Sequence, residues 1–166
     1  MLKQVLAACG LSAATMAASC TVTLDVRQAL RPAPPIDCLA SALQSSPDVA
    51  EVRKTQFHYG YATIDFAVYD STAKADRGLR QKAGQRVGQL ARFGDSREGD
   101  RVPGDTVIVQ FAWPGRTPPP DADVRALAEV AVRVLRHAQE RCRPQEGTSP
   151  ACALQGRPLP CPVETP

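Results

Sequence analysis

The stretch "TVIVQFAWPGRTPPPDADVRALAEVAVRVLRHAQERC", residues 106–142, decides the fold class. Its first part alternates. Val107, Val109, Phe111 and Trp113 fall on one side of an extended chain, because successive strand side chains point to opposite faces. The last part repeats at three and four instead. Val124, Leu127, Ala128, Ala131, Val134, Leu135 and Ala138 make one apolar stripe on a helix. Pro118, Pro119 and Pro120 separate the two, since proline continues neither a ladder nor a helix interior. Asp121 and Asp123 stand where the helix dipole favours anions, and Arg136, His137 and Arg141 where it favours cations. A strand with one apolar face beside a helix with one apolar stripe predicts a helix packed on a sheet.

The upstream chain supplies matching parts. Asp37 is a suitable N-cap for "CLASALQSS", in which Cys38, Leu39, Ala42 and Leu43 share a face before Pro47 ends the helix. Residues 52–70 are strand-like. Ala62, Ile64, Phe66 and Val68 alternate with polar or small residues, whereas Phe57, Tyr59 and Tyr61 keep the opposite parity. Either a bulge or a turn at Gly60 switches the face, or both faces are partly covered. Residues 80–93 form a weaker strand carrying Gly84 and Gly88. This order predicts an α+β domain over residues 37–142. It would be an antiparallel sheet of three to four strands with two helices packed on one face, in the order α-β-β-β-α. Residues 20–36, with Pro32, Pro34 and Pro35, read as an extended tether. Residues 143–166 hold six of the 15 prolines and read as a Pro-rich tail outside the sheet.

A length of 166 residues suits one domain. Aromatic residues make up 5%, so the core must be built mainly from Val, Leu, Ile and Ala. The net charge of +3 is too small to imply nucleic acid as a partner.

The N-terminus carries a different kind of signal. Lys3 precedes an apolar, small-residue run from Val5 to Ala18, and residues 1–19 read as a signal peptide. That run is too short to span a bilayer, which takes about 20 apolar residues. The stretch Ala17-Ala18-Ser19-Cys20 resembles a bacterial lipobox, with Ala17 where leucine is usual. The resemblance implies cleavage before Cys20 and acylation of its thiol and amine, an anchor of several chains. Thr21 follows Cys20, which in the enteric sorting pattern directs the product to the outer membrane, facing the periplasm. Cys9 then leaves with the leader and Cys20 is acylated. Cys38, Cys142, Cys152 and Cys161 remain, an even number in an oxidising compartment. If the two helices are antiparallel, the start of the first meets the end of the second. The expected bridges are therefore Cys38–Cys142 and Cys152–Cys161.

Little in the sequence points to chemistry. His58 and His137 have no partner at zinc, metalloprotease or hydrolase spacing, and no G-x-S-x-G occurs. No catalytic residue, cofactor or metal ligand is expected. Asp95, Glu98 and Asp100 lack the order of a calcium loop and read as a solvated hairpin loop. Residues 74–101 carry eight basic against four acidic side chains. Candidate binding residues are Arg80, Arg86 and Arg92 for an anionic lipid or glycan, and Tyr59 and Tyr61 for a protein. Trp113 is expected to be buried at its strand's end. The reading is a non-catalytic outer-membrane lipoprotein that binds another envelope component, a protein of assembly-accessory or immunity type. The alternative is an anionic lipid or glycan binder through the arginines. A hydrolase built on His58 and Asp65 is the weakest of the three.

Overall fold

The computed structural model describes residues 21–94 and 104–162. The elements run β1 (Thr21–Arg31), α1 (Ile36–Ser45), β2 (Val49–His58), β3 (Tyr61–Tyr69), β4 (Gln85–Phe93), β5 (Thr106–Pro114), α2 (Asp121–Cys142), β6 (Glu146–Gly147), β7 (Ala151–Leu154) and β8 (Arg157–Leu159). All pairings are antiparallel, in the spatial order β2-β3-β4-β5-β1-β7-β8, with β6 on the remaining length of β1. The α+β class with an antiparallel sheet and two helices stands, but the sheet has eight strands rather than three or four.

Two segments assigned outside the domain are inside it. Residues 21–31 are a central strand and not a tether: Val22, Leu24, Val26 and Leu30 are buried on one face while Thr21, Thr23, Asp25 and Arg27 occupy the other. The prolines that suggested a tether follow the strand and lead into α1. Pro35 takes the N-cap position, so Asp37 lies in the first helical turn rather than capping it. The tail likewise joins the sheet. Cys152 pairs with Val26 and Leu154 with Leu24. Its prolines sit where a missing N–H does little harm: Pro150 precedes β7, Pro158 is in the outermost strand, and Pro160 follows it. The element order is therefore β-α-β-β-β-β-α-β-β-β.

One core joins the layers. Val107, Val109, Phe111 and Trp113 of β5 face the helices, as do Ile64, Phe66 and Val68 of β3 and Leu90 of β4. Leu39, Ala42 and Leu43 of α1 and the α2 stripe from Val124 to Ala138 close over them. Gly88 permits this packing. A Cβ there would stand 2.7 Å from the Phe111 ring. The Phe66 and Phe111 rings meet edge-on at 5.9 Å. The helices run antiparallel. Cys38 is bonded to Cys142, Ser45 lies against His137, and Arg133 forms two-pronged hydrogen bonds with Asp48. Cys152 is bonded to Cys161. Both bridges match the pairing expected from the sequence.

Candidate functional site

The change of parity at Gly60 is a hairpin turn. His58 pairs with Tyr61, leaving Tyr59 and Gly60 as the turn. Gly60 has φ +85°, a value glycine adopts without strain and side-chain-bearing residues avoid. This turn places Tyr59 and Tyr61 together at the tip of β2–β3. Phe57 and Tyr59 are 73% and 88% exposed. His58 stacks on Tyr61 at 4.5 Å between centroids, and Tyr61 stacks on Phe93 of β4 at 5.5 Å. Five rings thus gather around one hairpin tip. The sequence reading found the two tyrosines but missed Phe93, which the β3–β4 register brings opposite Tyr61. The opposite parity of Phe57, Tyr59 and Tyr61 was the available signal.

The three arginines do not form a surface. Arg80 is exposed in the β3–β4 connection, where its carbonyl accepts a hydrogen bond from Arg53 at 3.0 Å. Arg92 turns toward the helix side and donates to Pro34 O at 3.0 Å and Ala33 O at 3.1 Å, pinning the link between β1 and α1. Arg86 is buried, 4% exposed, with its Nε 3.0 Å from an Asp70 oxygen and its guanidinium 5.3 Å over the Trp113 ring. Burial pushes the Asp70 carboxyl up. Hydrogen bonds from the Thr72 hydroxyl and amide and from Arg86, with the charge of Arg86, outweigh that and hold it below its usual range. Alternate residues of β4 point inward, so Arg86 and Arg92 lie on the helix side of the sheet and not on one exposed face with Arg80. Trp113 is buried as expected, at 6% exposure.

His58 and Asp65 are not brought together. Asp65 lies on the face away from the helices, where it accepts hydrogen bonds from Gln56 and Gln89. It belongs to a rung crossing four strands, in which Asp65 opposes Gln89, Gln89 opposes Gln110, and Gln110 opposes Asp25. Gln110 donates to Asp25 at 2.7 Å. These polar groups satisfy one another. His137 Nε2 lies 2.9 Å from Ser45 Oγ, which is also 3.1 Å from Ala42 O. Among the described residues no carboxylate orients the other ring nitrogen, so this pair lacks the third member of a hydrolytic triad. Cys20, Asp95, Glu98 and Asp100 lie outside the described residues. Among the described residues no helix is long and apolar enough to cross a membrane.

Strand direction fixes where the tip stands. Thr21 pairs with Pro114, so the first residue of β1 lies at the end of β5. Tyr61 and Phe93 lie at the other end of the strands. From Tyr61 to Tyr69 the strand spans about 26 Å at the usual rise per residue.

The sequence matches no protein family and no curated protein. Among solved structures, the Zhui aromatase/cyclase from Streptomyces sp. R1128 is similar at 14% identity, over 73% of this chain and 95% of that one, with a TM-score of 0.28. A superposition that loose carries no argument about fold or function.

Proposed function

We infer that the chain is a non-catalytic lipoprotein, acylated at Cys20 and held on the periplasmic face of the outer membrane, whose β2–β3 tip docks another envelope protein. The lipobox-like residues support the anchor. The observation that carries the docking reading is the placement of the five-ring tip at the end of the sheet opposite Thr21. An anchor at one end leaves the other facing away from the bilayer. Exposed Phe57 and Tyr59 offer large contact area at little entropic cost, as anchor residues at protein interfaces do. With β1 starting one residue after Cys20, the domain would stand directly on the membrane rather than on a spacer.

Two experiments test this reading. Cells fed radiolabelled palmitate should label the wild-type chain and not a Cys20→Ser variant; an unlabelled wild type removes the anchor. A photo-crosslinking residue in place of Tyr59, in intact cells, should trap one envelope protein, and the same group at exposed Arg125 on α2 should not. Equal trapping from both positions, or none, removes the tip as the docking site.

A further inference from the structure

A cleft of about 240 Å³ opens at the end of the sheet where β1 begins. Its lining includes Lys74, Gln81, Arg86, Trp113, Pro120 and Asp123. Pro114 also lines it, and Pro114 is the pairing partner of Thr21, so the cleft adjoins the point where the chain leaves toward Cys20.

One donor at this cleft, the Trp113 indole, has no acceptor among the described residues. Trp113 is 6% exposed, and its indole Nε1–H is buried without a hydrogen-bond partner. A buried donor left unpaired is costly unless something fills the role. Arg86 uses its Nε on Asp70 and reaches Ala112 O at 3.5 Å with Nη1. A guanidinium has five N–H groups, so donors remain. The start of α2 forms another wall. The amides of Asp123 and Val124 bond back to Pro120 O, and no side chain caps the helix. Pro120 and Asp123 line the cleft, so the positive end of the α2 dipole lies at its wall. Lys74 adds an exposed ammonium at the rim. Against these stand two carboxylates, Asp76 and Asp123.

Donors for a phosphate and acceptors for an amine share one small cleft. We propose that this cleft takes the phosphoethanolamine headgroup of a bilayer lipid. Lys74, Arg86, the indole N–H and the α2 terminus would hold the phosphate, and Asp123 with Asp76 the ammonium. A simple anion would leave both carboxylates opposed to it. The volume, below the usual 300–1,000 Å³ of a small-molecule pocket, fits a headgroup with its acyl chains outside. The orientation toward a membrane rests on acylation of Cys20, as inferred above; the chemistry of the cleft does not.

Trp113 is the chain's single tryptophan, so its emission reports this cleft. The purified full chain, in a phosphate-free non-ionic detergent, should show a saturable emission change with sn-glycero-3-phosphoethanolamine. Lys74→Glu and Asp123→Asn, both away from the core, should each weaken that response at least fivefold. Arg86→Gln should do so too, with circular dichroism checking that it folds. No saturable change, or unchanged affinity in the Lys74 and Asp123 variants, overturns the site. Saturation by inorganic phosphate at the same concentration overturns the lipid source in favour of free phosphate. Palmitate labelling is a separate readout, so failure of the anchor and failure of the cleft remain distinguishable.

Discussion

The two ends of the sheet treat their aromatic residues in opposite ways. At the end where β1 begins, Trp113 is covered by Arg86, which is in turn neutralised by Asp70. At the far end His58, Tyr61 and Phe93 stack in series, and Phe57 and Tyr59 stand exposed beside them. Residue type does not set the difference. Trp113 is on the strand parity that meets the helices, while the hairpin carries its rings beyond the reach of either helix. The fastening differs as well. Beneath Trp113 it is an ion pair. Toward the tip, where α1 begins and α2 ends, it is covalent, through Cys38 and Cys142. An end held by charge should respond to acid, and an end held by sulfur to reductant.

The largest effect is expected from the covalent end. The Cys38–Cys142 bridge closes a sequence separation of 104, which the chain-entropy model values at about 4–5 kcal/mol. A Cys38→Ser/Cys142→Ser variant should lose about that much in urea unfolding. A loss under 1 kcal/mol would mean that helix packing alone secures this end. Next comes Arg86→Gln, which leaves the Asp70 carboxylate without its buried partner and should cost about 3 kcal/mol. A neutral result would break the contrast between the two ends.

Acid should sharpen the contrast. Asp70 titrates below its unfolded value, so its contribution is present above about pH 4 and is lost as the pH falls through the lower folded value. Unfolding curves from pH 5 to pH 2 should show wild type losing stability in that window, and Asp70→Asn losing less across it. A parallel decline in both would place the acid sensitivity elsewhere. The smallest effect belongs to the tip. Phe57→Ser with Tyr59→Ser should change unfolding free energy by no more than about 0.5 kcal/mol while abolishing the trapped partner. A large stability loss would make those rings structural.

The strongly periodic parts of this fold were legible in the sequence. The α2 stripe and the alternation of β5 each follow from one packing constraint, and antiparallel helices then imply the Cys38–Cys142 bridge. The failures share a cause. In both "TVTLDVRQALRPAPP" and the last 24 residues, proline outweighed an alternation that was present. Val22, Leu24 and Val26 alternate as clearly as Val107, Val109 and Phe111, and Pro32 follows the strand without interrupting it. Proline speaks for its own position and that of its predecessor, not for the ten residues before it. The arginines are dispersed for a different reason. Counting charge along residues 74–101 ignores that β4 turns every second side chain toward the helices. Phe93 and the Trp113 cleft required register between distant segments, which no local pattern supplies.

The placement of β1 also has a mechanical consequence. Antiparallel hydrogen bonds lie across the strand axis, and β1 is held by β5 on one side and by β7 on the other. Tension entering at Thr21 and leaving at the hairpin tip would run along the strands and load those bonds together in shear, rather than peeling them one by one. A molecule pulled between two attachments in this direction would yield late and all at once.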